Sequence, residues 1–296
     1  MRKVTLPNRD FEKTAVAAAE HLIDLALAED LGETGDITTR AIFTEENNKI
    51  ADAVVIAKSA GVVAGLKIFS RVFMKVESSV QVKSSVNDKD WLSPKQEIIR
   101  LRGPVAAILT GERVALNFLQ RLSGIATVTR KFAEAVAGTK TQILDTRKTT
   151  PGWRILEKYA VQCGGGLNHR LGLHDMFLIK ENHIAAAGGI AAAVQKCRAL
   201  NQQQGRNWNL EVEARTLADV EECLRHEVKH IMLDNMPAAE MQNAVKLVAG
   251  RAQLEASGNV SLENVASIAA TGVDYISIGA LTHSAPAMDF SLLIVE

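Results

Sequence analysis

The sequence predicts an α/β protein: an α+β module followed by an incomplete (β/α) barrel. Three observations carry that prediction. First, six short apolar runs in the second half end in charged, hydroxyl or glycine residues: Ile143-Leu-Asp-Thr-Arg-Lys148, Phe177-Leu-Ile-Lys180, Leu210-Glu-Val-Glu213, Ile231-Met-Leu-Asp-Asn235, Leu254-Glu-Ala-Ser-Gly-Asn259 and Tyr275-Ile-Ser-Ile-Gly-Ala280. A run of this length between polar residues is a short buried strand. Second, helical patterns separate most of these runs, which signals βαβ units and parallel pairing. Third, six units fall short of the eight that close a barrel, so the barrel is expected to be incomplete.

The first half divides differently. Ala15, Ala18, Ala19, Leu22, Ile23 and Ala26 recur at helical spacing, predicting a helix over 11–30 that stops at Gly32. Gly35-Asp36 marks a turn. Strands are expected at Ala53–Ile56, Gly61–Val63, Val80–Lys83 and Glu97–Leu101, interrupted by a helix near Leu66–Val76. Pro104 suits the first turn of a long helix reaching Leu122. Ser123-Gly124 is expected to break that helix, with a second helix running on to about Val136. The expected domains are 1–122 for the first module and 123–284 for the barrel, with the tail 285–296 packing on the first module.

The 296 residues carry 34 Lys+Arg and 34 Asp+Glu, so no overall field steers the protein to nucleic acid or an anionic membrane. Three scattered cysteines, Cys163, Cys197 and Cys223, fit a reducing compartment. The N-terminal residues lack an apolar core of signal-peptide length, and Ile184–Val194 is too short to span a bilayer. A soluble, cytoplasmic protein is expected.

Side chains alternate along a strand. Glu211 and Glu213 therefore share one face, as do Met232 and Asp234, Glu255 and Ser257, and Asp145 and Arg147. The other face is apolar and packs on helices. A purely structural barrel interior would be Val, Ile and Leu. The charged face instead points to chemistry at the carboxyl ends of parallel strands.

The segment after the first barrel strand, Tyr159 to Gly172, reads as a loop, and Gly164, Gly165 and Gly166 let its backbone approach something closely. Arg147, Lys148, His169, Arg170 and Lys180 form a cationic set suited to a polyanionic ligand. Ser257-Gly258-Asn259 and Gly279-Ala280-Leu281 follow the last two strands, where backbone N–H groups of barrel enzymes commonly hold phosphate. No GxGxxG or GxxxxGK[ST] pattern is present, so Rossmann and P-loop readings lack support. Cys163 reads as a small buried filler rather than a nucleophile, and His183 as structural or as a support to a neighbouring site residue. His174, His226, His230 and His283 have no metal-ligand spacing.

Asp145-Thr-Arg-Lys-Thr149, Cys163-Gly-Gly-Gly-Leu-Asn-His-Arg170, Leu178-Ile-Lys-Glu-Asn-His183 and Thr110-Gly-Glu-Arg-Val-Ala-Leu-Asn117 strongly resemble the quinolinate phosphoribosyltransferases, also called carboxylating nicotinate-nucleotide pyrophosphorylases. The strand-end motifs from Leu210 to His283 fit in order, as do Ala28-Glu-Asp-Leu-Gly32 and Gly35-Asp-Ile-Thr-Thr39. The resemblance covers nearly the whole chain. It implies a type II phosphoribosyltransferase-like fold, with an N-terminal α/β sandwich domain and an incomplete (β/α) barrel. It further implies a homodimer, Mg²⁺, and the substrates quinolinate and phosphoribosyl pyrophosphate. On that resemblance Arg147, His169, Arg170 and Lys180 would hold the quinolinate carboxylates, joined by Arg113 from the partner subunit. Lys148 would sit near the phosphoribosyl group, and Thr146 would join the substrate-binding set. Glu213 and Asp234 would bind ribose hydroxyls or Mg²⁺, directly or through pyrophosphate. The turns Ser257, Gly258, Asn259 and Gly279, Ala280, Leu281 would hold the 5′-phosphate.

The charge inventory agrees with that chemistry. A pyridine nitrogen already has a free lone pair, so attack on ribose C1 needs no general base, and no convincing nucleophile–base pair appears. Three other readings compete: a molybdate-transport-associated relative of the same fold, a Schiff-base lyase using Lys180 or Lys148, and a non-catalytic phosphate-binding module.

Overall fold

The computed structural model describes residues 11–44 and 46–295. The first ten residues of the expected N-terminal domain and Glu296 of the tail lie outside the described residues. The chain forms two compact units: Met1–Arg130 with Thr149–Gly165 and Leu281–Glu296, and Lys131–Lys148 with Gly166–Ala280. The division therefore departs from the expected borders at 122/123 and 284/285. Residues 149–165, expected in the barrel, belong to the first unit because the helix they form packs there.

In the first unit, a four-stranded antiparallel sheet has the order β12-β1-β5-β3. Its strands are β1 (Ile50–Ala57), β3 (Gln81–Ser84), β5 (Glu97–Pro104) and β12 (Phe290–Val295). The tail is thus an edge strand, with Val54 opposite Leu293 and Ala57 opposite Phe290. A small ribbon joins β2 (Gly61–Val62) to β4 (Trp91–Leu92). Helices α1 (Phe11–Leu31), α2 (Ile37–Ile42) and α3 (Leu66–Val76) belong to this unit. So does α5 (Arg154–Cys163), which packs on α1. The first five residues of the segment read as a loop, Tyr159 to Cys163, are therefore helix.

Helix α1 buries Phe11, Ala15, Ala19 and Ile23, a strict i, i+4 stripe. Its small alanines allow close approach. On its polar side, Glu12 pairs with Lys67 at 2.8 Å and Glu20 with Arg71 at 2.6 Å, while Lys75 bridges Glu20 and Asp24 of the same helix. The cations recur every four residues along α3, so one register of the two helices satisfies all of them.

Helix α4 runs unbroken from Val105 to Ala135, through the expected break at Ser123-Gly124. The small residues serve packing instead. A Cβ on Gly124 would lie 2.0 Å from the Pro286 carbonyl oxygen. The Ala64 N–H donates to Ser123 Oγ at 3.0 Å.

The second unit holds a six-stranded parallel sheet of order β6-β11-β10-β9-β8-β7. The strands are β6 (Gln142–Leu144), β7 (Met176–Ile179), β8 (Asn209–Ala214), β9 (His230–Asp234), β10 (Gln253–Ser257) and β11 (Tyr275–Ser277). Between them run α6 (Glu181–Ala187), α7 (Ile190–Gln203), α8 (Leu217–Arg225), α9 (Ala238–Val248) and α10 (Val265–Ala269). The one-turn helix α11 (Ala280–His283) follows β11. The sheet stays open between its edge strands β6 and β7, two strands short of a closed barrel.

The expected division into two faces is present. Register sets Glu211 beside His230, Glu255 beside Met232 and Tyr275, and Ser257 beside Asp234 and Ser277. Side chains paired in register point to the same side. Val212, Ile231, Leu233, Leu254, Ala256 and Ile276 alternate with these residues, and all are buried. Because every strand runs the same way, the chemical residues gather at one end.

Candidate active site

The site grows from the end of β6. Asp145 is fully buried; its carboxylate accepts from Asn168 Nδ2 at 2.6 Å and from the His169 N–H at 2.8 Å. A parallel bridge of Leu144 with Leu167 reinforces that tie. The segment carrying His169 and Arg170 is thereby fastened to the strand end. Just beyond, Thr146 Oγ1 accepts from the Lys148 N–H at 3.0 Å, a local turn that leaves Lys148 exposed. Arg147 Nε is buried with no hydrogen-bond partner.

Arg170 is only 7% exposed, and its Nη1 donates to the Met176 carbonyl at 3.1 Å. Asp175 accepts from the Leu171 and Gly172 N–H groups at 2.6 and 3.2 Å, which shapes the turn after Arg170. Burial, and then the nearby Arg147 guanidinium, hold the Arg170 pKa below its usual value. Two guanidinium groups in a partly dry site repel each other, and a dianion between them would convert that cost into attraction.

His169 sits in a cage of acids. Its Nε2 lies 3.0 Å from Glu211 Oε2 and 3.5 Å from Glu255 Oε2. Its Nδ1 accepts the Arg170 N–H at 2.7 Å. Glu211 and Glu255 are 3% and 4% exposed, and Glu255 Oε1 has no partner. Burial, and then the Glu211 charge, push the Glu255 pKa up to about 8. His230, beside Glu211 in register, is held below its ordinary value mainly by burial.

Among the described residues, His169, Glu211 and Glu255 are the group whose donor atoms stand close enough to share a metal ion. The ring argues against that use. A nitrogen that accepts an N–H carries no proton, so the ring proton is on Nε2, the atom a metal would need.

Lys180 and Glu213 pair at 2.9 Å at the ends of β7 and β8. The Lys180 N–H donates to His183 Nδ1 at 3.0 Å, so His183 steadies the start of α6. Arg215 follows β8, with Nη1 2.7 Å from Glu181 and Nε 4.0 Å from Asp234 Oδ2. Glu213 and Asp234 are thus the last inward carboxylates of adjacent strands, each next to a cation.

At the end of β10, Gly258 adopts φ +99° and a Cβ there would lie 2.1 Å from Asn235 Oδ1. Only glycine fits that position. Asn259 Nδ2 donates to Asn235 Oδ1 at 3.2 Å, and Asn264 Nδ2 to the Asn259 carbonyl at 2.9 Å. Ser257 precedes this turn. After β11, Gly279 leads into α11, which begins with Ala280 and the buried Leu281.

The second unit therefore gathers Thr146, Arg147, Lys148, His169, Arg170, Lys180, Glu213, Asp234, Ser257, Gly258, Asn259, Gly279 and Ala280 at or just past its strand ends. Leu281 begins a first-unit segment, and Arg113 stands exposed on α4 in the first unit. Gly164 serves packing: a Cβ there would lie 2.3 Å from the Ala126 carbonyl of α4. Cys163 is buried and its thiol is pushed up to about 12, chiefly by burial, consistent with a filler rather than a nucleophile.

Sequence reasoning gave no role to Asp145, Glu211, Arg215 or Asn235. The alternation placed the two acids on the charged face, yet only the fold shows that they hold His169 and its neighbours. Nothing in the spacing singles out Arg215 or Asn235.

Comparison with known proteins agrees with this geometry. Residues 36–123 match the model of the quinolinate phosphoribosyl transferase N-terminal domain, and residues 125–293 match that of the C-terminal domain. The chain is 43% identical over 288 residues to quinolinate phosphoribosyltransferase [decarboxylating] 1b of Nicotiana tabacum, covering 92% of the chain and 81% of the tobacco protein. It is 44% identical over 271 residues to a probable nicotinate-nucleotide pyrophosphorylase [carboxylating] of Bacillus subtilis, covering 92% and 91%. The solved nicotinate-nucleotide pyrophosphorylase of Francisella tularensis superposes with a TM-score of 0.90 at 39% identity, covering 95% of this chain and 97% of that one. That of Ehrlichia chaffeensis gives 0.87 at 41%, covering 93% and 98%. The motifs, the open parallel sheet and these matches lead to one conclusion: the chain belongs to the quinolinate phosphoribosyltransferase family.

Proposed function

We propose that this protein is a carboxylating nicotinate-nucleotide pyrophosphorylase. It joins quinolinate to phosphoribosyl pyrophosphate and yields nicotinate mononucleotide, pyrophosphate and CO₂, a step of NAD biosynthesis. The observation that carries the reading is the pair of Arg147 and Arg170, two partly or fully buried guanidinium groups at the end of an acid-lined sheet. A planar dicarboxylate matches paired guanidinium groups in charge and shape. Lys180 supplies a third cation, and Lys148 meets the phosphoribosyl side.

Mg²⁺ suits the donor set. Glu213 and Asp234 offer hard oxygen ligands, and Mg²⁺ is usually held by one or two carboxylates plus substrate phosphates. Bound there, it would neutralise charge on the departing pyrophosphate. The rest is this chain's own work. Arg147 and Arg170 orient the ring so that its nitrogen faces ribose C1. Glu213 and Asp234 also stand where sugar hydroxyls need acceptors, and their charge favours a cation-like ribose in the transition state. The turns at Gly258 and Gly279 hold the 5′-phosphate. Catalysis is then mainly positioning and electrostatics. Once its nitrogen has bonded to ribose C1 and pyrophosphate has departed, the ring is a pyridinium, an electron sink that takes up the bonding pair as the C2 carboxylate departs as CO₂; a proton then fills C2.

The assembly we propose is a homodimer in which Arg113, exposed on α4, reaches the partner's quinolinate site. The proposed location is the cytoplasm; no helix among the described residues is long and apolar enough to cross a membrane. The names of the relatives over most of the chain support this reading over the Schiff-base reading of Lys180 and the molybdate-linked one. The test supplies quinolinate, phosphoribosyl pyrophosphate and Mg²⁺ and follows pyrophosphate and CO₂. Folded protein that releases neither would sink the proposal.

A further inference from the structure

Arg147, Arg170 and Lys180 face the dicarboxylate, and Lys148 meets the phosphoribosyl side. The pyrophosphate that leaves carries more negative charge than either carboxylate, yet none of these side chains is assigned to it. A further cation stands beside the acids of the site, and it is Arg215.

Side chains alternate along a strand, so residue 215 continues the inward row of Glu211 and Glu213 one step past the end of β8. Its backbone is fixed. The Arg215 N–H donates to Asp219 Oδ2 at 3.0 Å and the Thr216 N–H to the same oxygen at 2.9 Å, where Thr216 and Asp219 cap α8. The side chain is held far more loosely. It is 53% exposed, with Nη1 2.7 Å from Glu181 Oε1 and Nε 4.0 Å from Asp234 Oδ2. Glu181 is itself exposed, and a pair so open to water contributes little. The guanidinium thus reaches across the end of β8, from the start of α6 to the end of β9, and is free to exchange partners. Asn235 Nδ2 donates to Asp234 Oδ1 at 3.1 Å, so the other carboxylate oxygen is the one nearest Arg215.

The stereochemistry of the substrate says what an arginine there meets. In phosphoribosyl pyrophosphate, the pyrophosphate and both ring hydroxyls lie on the same face of the ribose. Acids that accept from those hydroxyls therefore stand beside the pyrophosphate, and so does the cation next to them.

We propose, resting on the reaction above, that Arg215 binds the pyrophosphate group and stabilises it as it leaves, exchanging Glu181 for phosphate oxygens. As the lone pair of the ring nitrogen bonds to C1, the C1–O bond breaks and its electrons pass to the departing oxygen. A guanidinium beside that oxygen takes up part of the growing charge, and its forked donors suit phosphate. Glu181 is then a competitor for the arginine that gives way to the more highly charged ligand.

Titration calorimetry with inorganic pyrophosphate and Mg²⁺ reads the contact without turnover. Arg215→Met, which keeps an apolar stem and removes the charge, should weaken pyrophosphate binding about tenfold. The phosphoribosyl pyrophosphate KM should rise by a similar factor and kcat should fall, while quinolinate affinity moves by less than about twofold. Glu181→Gln frees the arginine and should tighten pyrophosphate about threefold; the gain should vanish in the double variant with Arg215→Met. Both side chains are exposed, so the variants should melt with the parent protein. An Arg215→Met protein with the parent's pyrophosphate affinity overturns the proposal, as does one that loses pyrophosphate and quinolinate equally. A folded parent protein that binds pyrophosphate with Mg²⁺ yet turns over no quinolinate removes the reaction, and the Arg215→Met calorimetry then decides the contact alone. A parent protein that neither binds nor releases pyrophosphate overturns both.

Discussion

Lys180 and Glu213, on the ends of neighbouring parallel strands, form an ion pair with nitrogen and oxygen 2.9 Å apart. The lysine side chain is half exposed and the glutamate 13% exposed, so the pair sits at the rim of the acid face rather than within it. Such a pair contributes little stability. Its two ends are suited to separate when ligands compete for them, the cation to a carboxylate and the acid to a sugar or metal. Lys180→Met should therefore raise the quinolinate KM about tenfold, and Glu213→Gln should lower kcat about a hundredfold. Initial rates with each substrate varied in turn check both. Matching losses in the two variants would mean that the pair acts only as a structural tie.

Arg170 is buried and Arg147 lies close enough to disturb it. Arg170→Ala should cost about 2–4 kcal/mol of quinolinate binding, as truncation of a buried charged partner commonly does. The phosphoribosyl pyrophosphate affinity should move by less than about twofold. Titration calorimetry with each ligand separates the two, and equal losses would remove the role assigned to Arg170.

Glu157 is fully buried; it pairs with Arg121 at 2.7 Å and accepts from the Thr150 N–H and hydroxyl at 3.1 and 2.8 Å. Arg121 also donates to the Thr282 and Ala285 carbonyls. One ion pair thus pins the segments that follow two strand ends. Glu157→Ala leaves an arginine without its acid and should cost about 3–5 kcal/mol. Urea denaturation followed by fluorescence should show the loss, and a change below about 1 kcal/mol would contradict the pair's importance.

Glu255 links stability to pH. Its folded-state pKa of about 8 lies above the ordinary 4.5, so the folded state binds the extra proton. Its contribution is fully present below about pH 4.5 and is lost as pH rises through about 8. Glu255→Gln cannot lose that proton. Relative to the parent protein it should gain stability steadily from about pH 5 to about pH 8, measured by denaturant midpoints at matched salt. A difference that does not change with pH would show that Glu255 is ionised throughout.

Gly124 sets helix propensity against packing. Alanine there would gain about 1 kcal/mol of propensity in mid-helix. The new Cβ would lie 2.0 Å from the Pro286 carbonyl oxygen, a backbone atom that yields only if the tail moves. Overpacking of this kind costs about 1–3 kcal/mol, so the clash should win. Gly124→Ala should lower the melting temperature, and hydrogen exchange should increase along β12; a higher melting temperature would mean that the tail adapts freely.

Much was legible from periodicity, because alternation and helical spacing are properties of consecutive residues. The six parallel strands, their apolar and acid faces, the gathering of cations at the strand ends and the stripe on α1 all follow from local pattern. The motifs then named the family. What only the tertiary structure decided is which neighbour each group meets. Ser123-Gly124 looks like a break in sequence, yet Gly124, like Gly164, is a contact point where another segment comes too close for a side chain. His169 reads as the switchable member of a cationic set, and the fold sets Glu211 and Glu255 beside its ring. Lys180 and Glu213 read as separate ligands, and the sheet makes them a pair. A sequence states which groups are present and how they repeat. Charge state and partner choice depend on distances between residues far apart in the chain, and those are set only when the sheet and helices pack.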